Sequence, residues 1–183
     1  MKNLVLFGDS LFANISKHRQ IWLEEKLPSY NVYNCAAGGW DSNDCVLKGP
    51  YLSTLKPDVL MLSLGTNDAC PWKQVDLRTF RQNLIRIFSL FPDSKLIYFL
   101  PPPINEEILS KDSKRHVLNN VIMKQYHDAA KKVCLQHTIS YLDSWSSIKP
   151  ILDKQDNFHT EDGIHITDEG YNLLLSLLAD LVQ

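Results

Sequence analysis

Five short, nearly continuous apolar runs, each followed by a longer segment with helical spacing, constrain this chain more than any other feature. The runs are 3–7 (NLVLF), 30–34 (YNVYN), 58–64 (DVLMLSL), 95–100 (KLIYFL) and 138–142 (TISYL). Strands apolar on both faces belong in a sheet covered on both faces, and parallel strands need long crossovers between them. Apolar spacing predicts those crossovers as helices near 17–27, 42–55, 76–91, 113–136 and 168–182. Pro28, Pro57 and Pro92 stand at or just after the proposed ends of three of them, as helix breakers do. The order β-α-β-α predicts an α/β protein, a three-layer α/β/α sandwich around a parallel sheet of about five strands. Nothing in the composition divides the chain, so residues 1–183 are read as a single domain.

In a parallel sheet, ligands bind beyond the carboxyl ends of the strands. Four polar segments fall there. The first strand stops at Gly8-Asp9-Ser10, and the second runs through Asn34 into a loop with Gly38-Gly39. The third meets Gly65-Thr66-Asn67-Asp68, and Asp162-Gly163-Ile164-His165 stands just ahead of the last helix. Singly, each has a bland reading: a turn at Gly8-Asp9-Ser10, a hinge at Gly38-Gly39, a helix cap at Asn67-Asp68, a reverse turn at Asp162-Gly163. All four bland readings would have to hold at once, on one sheet edge.

Together the segments supply what ester hydrolysis needs. A serine hydroxyl is a weak nucleophile until a base takes its proton. Ser10 is the candidate nucleophile, His165 the base, and Asp162 the group that holds the imidazole tautomer. A tetrahedral intermediate then needs donors for its oxyanion, available from the Ser10 N–H, the Gly39 N–H and the Asn67 side-chain amide.

This pattern resembles the SGNH hydrolase family, also called GDSL-type esterases and lipases. The resemblance rests on Gly8-Asp9-Ser10-Leu11, Asn34 through Gly39, Gly65-Thr66-Asn67-Asp68 and Asp162-Gly163-Ile164-His165, in the family's order across almost the whole chain. It implies Ser10, Asp162 and His165 as the catalytic residues, and Ser10, Gly39 and Asn67 as the oxyanion hole. It also implies a flavodoxin-like strand order 2-1-3-4-5 and no cofactor. Gly39 is preferred to Gly38 because it lies five residues after Asn34. Asp9 and Trp40 are the expected substrate contacts. Trp40 departs from the family, which often has an acidic or amide residue after that glycine. It either narrows the acyl pocket or stacks on a sugar, or it packs at a helix start. The expected substrate is a small acyl ester: a short-chain ester, an acetylated sugar, a thioester or a lysophospholipid.

Two rival functions stand beside this one. His159, Asp162 and His165 have the residue types of a metal set, which would make the chain a metal-dependent hydrolase. The same fold can also serve as a non-catalytic carbohydrate- or acyl-binding module. Four cysteines, at 35, 45, 70 and 134, match no zinc spacing and are read as packing residues or free thiols. Cys35 and Cys70 adjoin site segments, so a thiol nucleophile stays open. The other histidines, His18, His116, His127 and His137, are read as exposed or incidental. Lys131-Lys132 and Lys114-Arg115 are read as solvated helix faces.

The remaining expectations are broader. A net charge of −2 gives no footprint for nucleic acid. No run approaches the ~20 apolar residues of a membrane span. The four apolar residues near the start fall short of a secretory signal's roughly 7–15, which gives a cytoplasmic expectation. Pro101-Pro102-Pro103 opens a loop of about ten residues that either lines the site or bridges to the next helix.

Overall fold

The computed structural model describes residues 1–112, 115–152 and 158–183. Five strands form one sheet: β1 (Lys2–Gly8), β2 (Tyr30–Asn34), β3 (Val59–Ser63), β4 (Lys95–Phe99) and β5 (Ser140–Leu142). Their order is β2-β1-β3-β4-β5, and every pairing is parallel. The expected flavodoxin-like order is therefore what the chain adopts. β5 is shorter than its apolar run, because the chain passes through Thr138 in a left-handed conformation (φ 56°) before pairing begins.

Five long helices match the predicted segments: α2 (Lys17–Lys26), α3 (Ser42–Ser53), α5 (Leu77–Ser89), α7 (Asn120–Gln136) and α10 (Asp168–Val182). Five single-turn helices fill the strand-to-helix connections: α1 (Ser10–Ala13), α4 (Thr66–Ala69), α6 (Glu106–Leu109), α8 (Ser144–Ser147) and α9 (Lys149–Leu152). Only α7 starts far from its predicted boundary. Asn119 caps it, accepting from the Ile122 N–H, and residues 115–117 form a turn instead. The first two residues of the predicted span, 113 and 114, lie outside the described residues.

The period of two along each strand sorts side chains into two cores. Val5, Phe7, Leu60, Leu62 and Tyr98 pack with α3, α5 and α7 on one face. Leu4, Leu6, Val59, Met61, Ile97 and Phe99 pack with α1, α2 and α10 on the other. Both faces of the sheet are thus dry, which leaves its carboxyl edge as the place where polar side chains gather.

Candidate active site

The end of β1 sets the first element of the site. Gly8 has φ +127°, and a Cβ there would sit 1.9 Å from the Ser63 carbonyl oxygen on β3. Glycine lets the strand end press against its neighbour, and the Asp9 N–H then bonds that same carbonyl at 2.9 Å. Asp9 caps α1, and Ser10 becomes its first residue. The Ser10 N–H is one of the amides that a helix start leaves without an intrahelical acceptor. Asn34 and Tyr171 hold the turn in place. Asn34 Nδ2 donates to the Phe12 carbonyl at 2.8 Å, and the Tyr171 hydroxyl donates to that of Leu11 at 2.8 Å.

The histidine arrives on a tight hairpin. Thr160 N–H bonds the His165 carbonyl at 2.8 Å, and Gly163 N–H bonds that of Thr160 at 2.9 Å. The loop after β4 supports this hairpin from behind. Asn105 N–H bonds the Gly163 carbonyl at 2.8 Å, and a Cβ on Gly163 would meet Leu109 Cδ1 at 2.3 Å. Residues 101–112 of the triproline loop are not among those that line the cavity; the loop supports the hairpin that carries His165.

Ser10, His165 and Asp162 are joined in one hydrogen-bonded chain. Ser10 Oγ lies 2.7 Å from His165 Nε2, and His165 Nδ1 lies 2.5 Å from Asp162 Oδ2. With Nδ1–H donating to the carboxylate, Nε2 is left to accept the serine proton. Asp162 Oδ1 also accepts from Thr160 Oγ1 (2.8 Å), Ile164 N (3.0 Å) and His165 N (2.9 Å). Burial pushes the Asp162 carboxyl up, but these bonds, led by the one from the His165 ring, outweigh it and hold the carboxyl well below the usual range. The bond to Asp162 raises the His165 pKa above its ordinary 6.5, against a smaller opposing effect of burial.

Asn67, on α4, lines the same cavity of about 590 Å³ as Ser10 and His165. Its Nδ2 donates to the Trp40 carbonyl at 2.9 Å, which fixes the amide and leaves its second hydrogen for a ligand. Gly39 lies in the adjoining loop, exposed, with φ +79° and open space where a Cβ would stand. Only that conformation, not crowding, calls for glycine there. Gly39 is not among the residues that line the cavity, and its carbonyl accepts from Lys73 Nζ.

The two expected substrate contacts are placed elsewhere. Asp9 is fully buried next to Ser10, accepting from Ser63 Oγ at 2.9 Å and from Leu11 N at 3.0 Å. Burial drives its pKa up to about 7. Trp40 packs edge-on against Phe7, ring centroids 6.1 Å apart, and does not line the cavity, in keeping with the packing reading. The tryptophan that does line it is Trp72, half exposed.

The metal set is not assembled. His159 Nε2 faces the Pro103 carbonyl at 3.0 Å, and Asp162 is committed to its own hairpin. Among the described residues no three His, Cys, Asp or Glu side chains are grouped to hold an ion. Neither thiol is set up to ionise: Cys70 lines the cavity, but its Sγ–H donates to the Thr66 carbonyl at 3.2 Å and burial raises its pKa to about 11, while burial also pushes that of Cys35 up.

Two residues escape the sequence reading. Arg115 is no solvated helix face, since it precedes α7, lines the cavity and stands 3.7 Å from Asp162 Oδ2. His127 is not incidental. It is 1% exposed, with Nδ1 3.0 Å from Asp128 Oδ1 and Nε2 3.0 Å from Asp143 Oδ1. Its place on the inward stripe of α7, with Met123, Ala130 and Cys134, was the available signal.

Residues 6–173 match the GDSL-like Lipase/Acylhydrolase family model. The chain belongs to that family. Among its relatives, the GDSL esterase/lipase WDL1 of Oryza sativa subsp. japonica is 24% identical over 151 residues, covering 73% of this chain and 56% of that protein. The GDSL esterase/lipase At5g45920 of Arabidopsis thaliana is 28% identical over 142 residues, covering 67% and 57%. This GDSL-family chain thus spans just over half the length of those curated relatives. The lipase/acylhydrolase from Enterococcus faecalis shares the fold, with a TM-score of 0.86 at 24% identity over 100% of this chain and 95% of that one.

Proposed function

We propose that this chain is a serine ester hydrolase acting through an acyl-enzyme on Ser10. The observation that carries the reading is the chain from Ser10 Oγ through His165 to Asp162, with its separations of 2.7 and 2.5 Å. Ser10 Oγ attacks the ester carbonyl while its proton passes to His165 Nε2. Asp162 holds the tautomer and stabilises the imidazolium. The Ser10 N–H, the Gly39 N–H and Asn67 Nδ2 are the proposed oxyanion donors. His165 then protonates the leaving alcohol, and water repeats the sequence to free the acid.

The cavity, about 590 Å³, is of a size for a small ligand, not a polymer surface. A small soluble acyl ester fits it, with the acyl chain against Ile164 and Trp72 on its wall. The test is intact mass after exposure to a fluorophosphonate, comparing wild type with Ser10→Ala. One adduct on the wild type and none on the variant is the expected result. No adduct on folded wild type would overturn the reading and favour a binding module.

A further inference from the structure

Among the described residues, the cavity that holds Ser10, Asn67 and His165 is lined by one permanent positive charge, Arg115. Its guanidinium pairs with two carboxylates, but at separations longer than a hydrogen bond. Nη1 stands 3.7 Å from Asp162 Oδ2, and Nε stands 4.0 Å from Asp112 Oδ2. Arg115 meets Asp112 through its backbone as well, its N–H donating to Asp112 Oδ1 at 2.9 Å. Asp162 meanwhile takes its bonds from His165, Ile164 and Thr160. A guanidinium carries five donors in a planar fork suited to carboxylate or phosphate. Here that fork is 40% exposed on a cavity wall, with donors left for a ligand.

The chemistry of acyl transfer says which half of the substrate it meets. The C–O bond to the alcohol breaks while the acyl group stays on Ser10, and His165 Nε2 gives its proton to the departing oxygen. The alcohol therefore leaves on the imidazole side of the serine. The oxyanion donors at Asn67 and the Ser10 amide serve the carbonyl oxygen instead. Arg115 belongs to the imidazole side, beside the carboxylate that orients His165.

We infer that Arg115 is a specificity-determining residue that selects esters whose alcohol half carries an anionic group, a carboxylate or a phosphate. The inference rests on the ester-hydrolase reading of the site. The anion itself takes no part in bond making and is unchanged by the reaction. Arg115 is not a catalytic residue in this account; it holds the alcohol while the proton reaches it.

The test uses acetate esters of three phenols: 3-hydroxybenzoate, its neutral methyl ester, and 3-hydroxyphenyl phosphate. For each, kcat/KM is divided by the rate of uncatalysed hydrolysis, and charged esters are compared with the neutral one. Wild type should favour at least one charged ester by about ten- to a hundredfold, the range of a charge-assisted hydrogen bond. The larger of the two ratios identifies carboxylate or phosphate as the better ligand. Arg115→Gln should bring the ratio close to one, and Arg115→Lys should leave an intermediate value. A structural role through Asp162 would lower all three esters alike and keep the ratio, which overturns the assignment. So does a wild-type ratio near one. A salt titration of the wild type serves if the variants fail to fold: the preference should shrink as ionic strength rises, and a salt-independent ratio overturns it. Failure to cleave any of the three esters would instead overturn the hydrolase reading itself.

Discussion

Asp9 and Asp162 are the same side chain on two sides of one serine, and the fold treats them oppositely. Asp9 is fully buried, and both its donors, Ser63 Oγ and Leu11 N, go to Oδ1. Its Oδ2 is buried without a partner. Burial wins there, and the carboxyl rises to about 7. Asp162 is half-buried and collects donors on both oxygens, so burial loses and the carboxyl stays ionised. The supply of donors decides the outcome as much as depth does. One aspartate is part of the buried floor beside Ser10. The other exports its charge to an imidazole.

The widest separation between these two regions should appear in turnover. Ser10→Ala and His165→Ala should each lower kcat on an activated ester by roughly 10⁵- to 10⁶-fold, because nucleophile and base act as a unit. Asp162→Asn should cost about 10⁴-fold, since an amide no longer fixes Nδ1–H toward itself. A loss under tenfold in that variant would break the contrast with Asp9. Both follow from steady-state rates on proteins checked for folding by circular dichroism. Less drastic is the pH profile. kcat/KM should fall on the acid side as His165 takes up a proton, with a midpoint above the ordinary 6.5 because Asp162 favours the imidazolium. In Asp162→Asn that midpoint should move down, and an unmoved limb would assign the titration to another group.

How much of this was legible in the sequence differs between the same two regions. The strands were readable because residues such as Leu4 to Phe7 are apolar on both faces, a pattern few other environments require. The strand order followed from the family resemblance. Ser10 and Asp162–His165, which the structure joins by hydrogen bonds, stand out in the sequence because each motif is contiguous. Asp9 is buried instead of meeting a substrate because sequence neighbours diverge at a helix start. Ser10 faces the cavity, while its neighbour turns under the sheet edge to cap α1. Arg115 was invisible for a different reason. It sits in the irregular stretch before α7, where no periodicity tells which way a side chain points, and only the tertiary fold brings it to Asp162. The packing of Trp40 and the exposure of Trp72 likewise depend on contacts that local pattern does not encode.

The smallest effect on turnover belongs to Asp9→Asn, and it is the sharpest test of the comparison. An asparagine keeps an oxygen where Asp9 Oδ1 accepts from Ser63 and Leu11, so the start of α1 and the position of Ser10 should survive. Activity should stay within about tenfold of wild type, against the 10⁴-fold loss at Asp162. Stability should respond instead. The Asp9 pKa is raised in the folded state, from 3.8 to about 7, so its contribution is fully present below pH 3.8 and is lost as pH rises toward 7. A shift of that size corresponds to about 4 kcal/mol at most. Asp162 runs the other way: its lowered pKa gives stability above the usual carboxylate range and loses it as pH falls. Urea unfolding of wild type and Asp9→Asn between pH 4 and 7 separates the two. The difference should favour the variant increasingly toward pH 7, because the amide has no charge to bury. A constant difference across that window would mean that Asp9 is ionised throughout, with a partner for Oδ2 that offsets its burial.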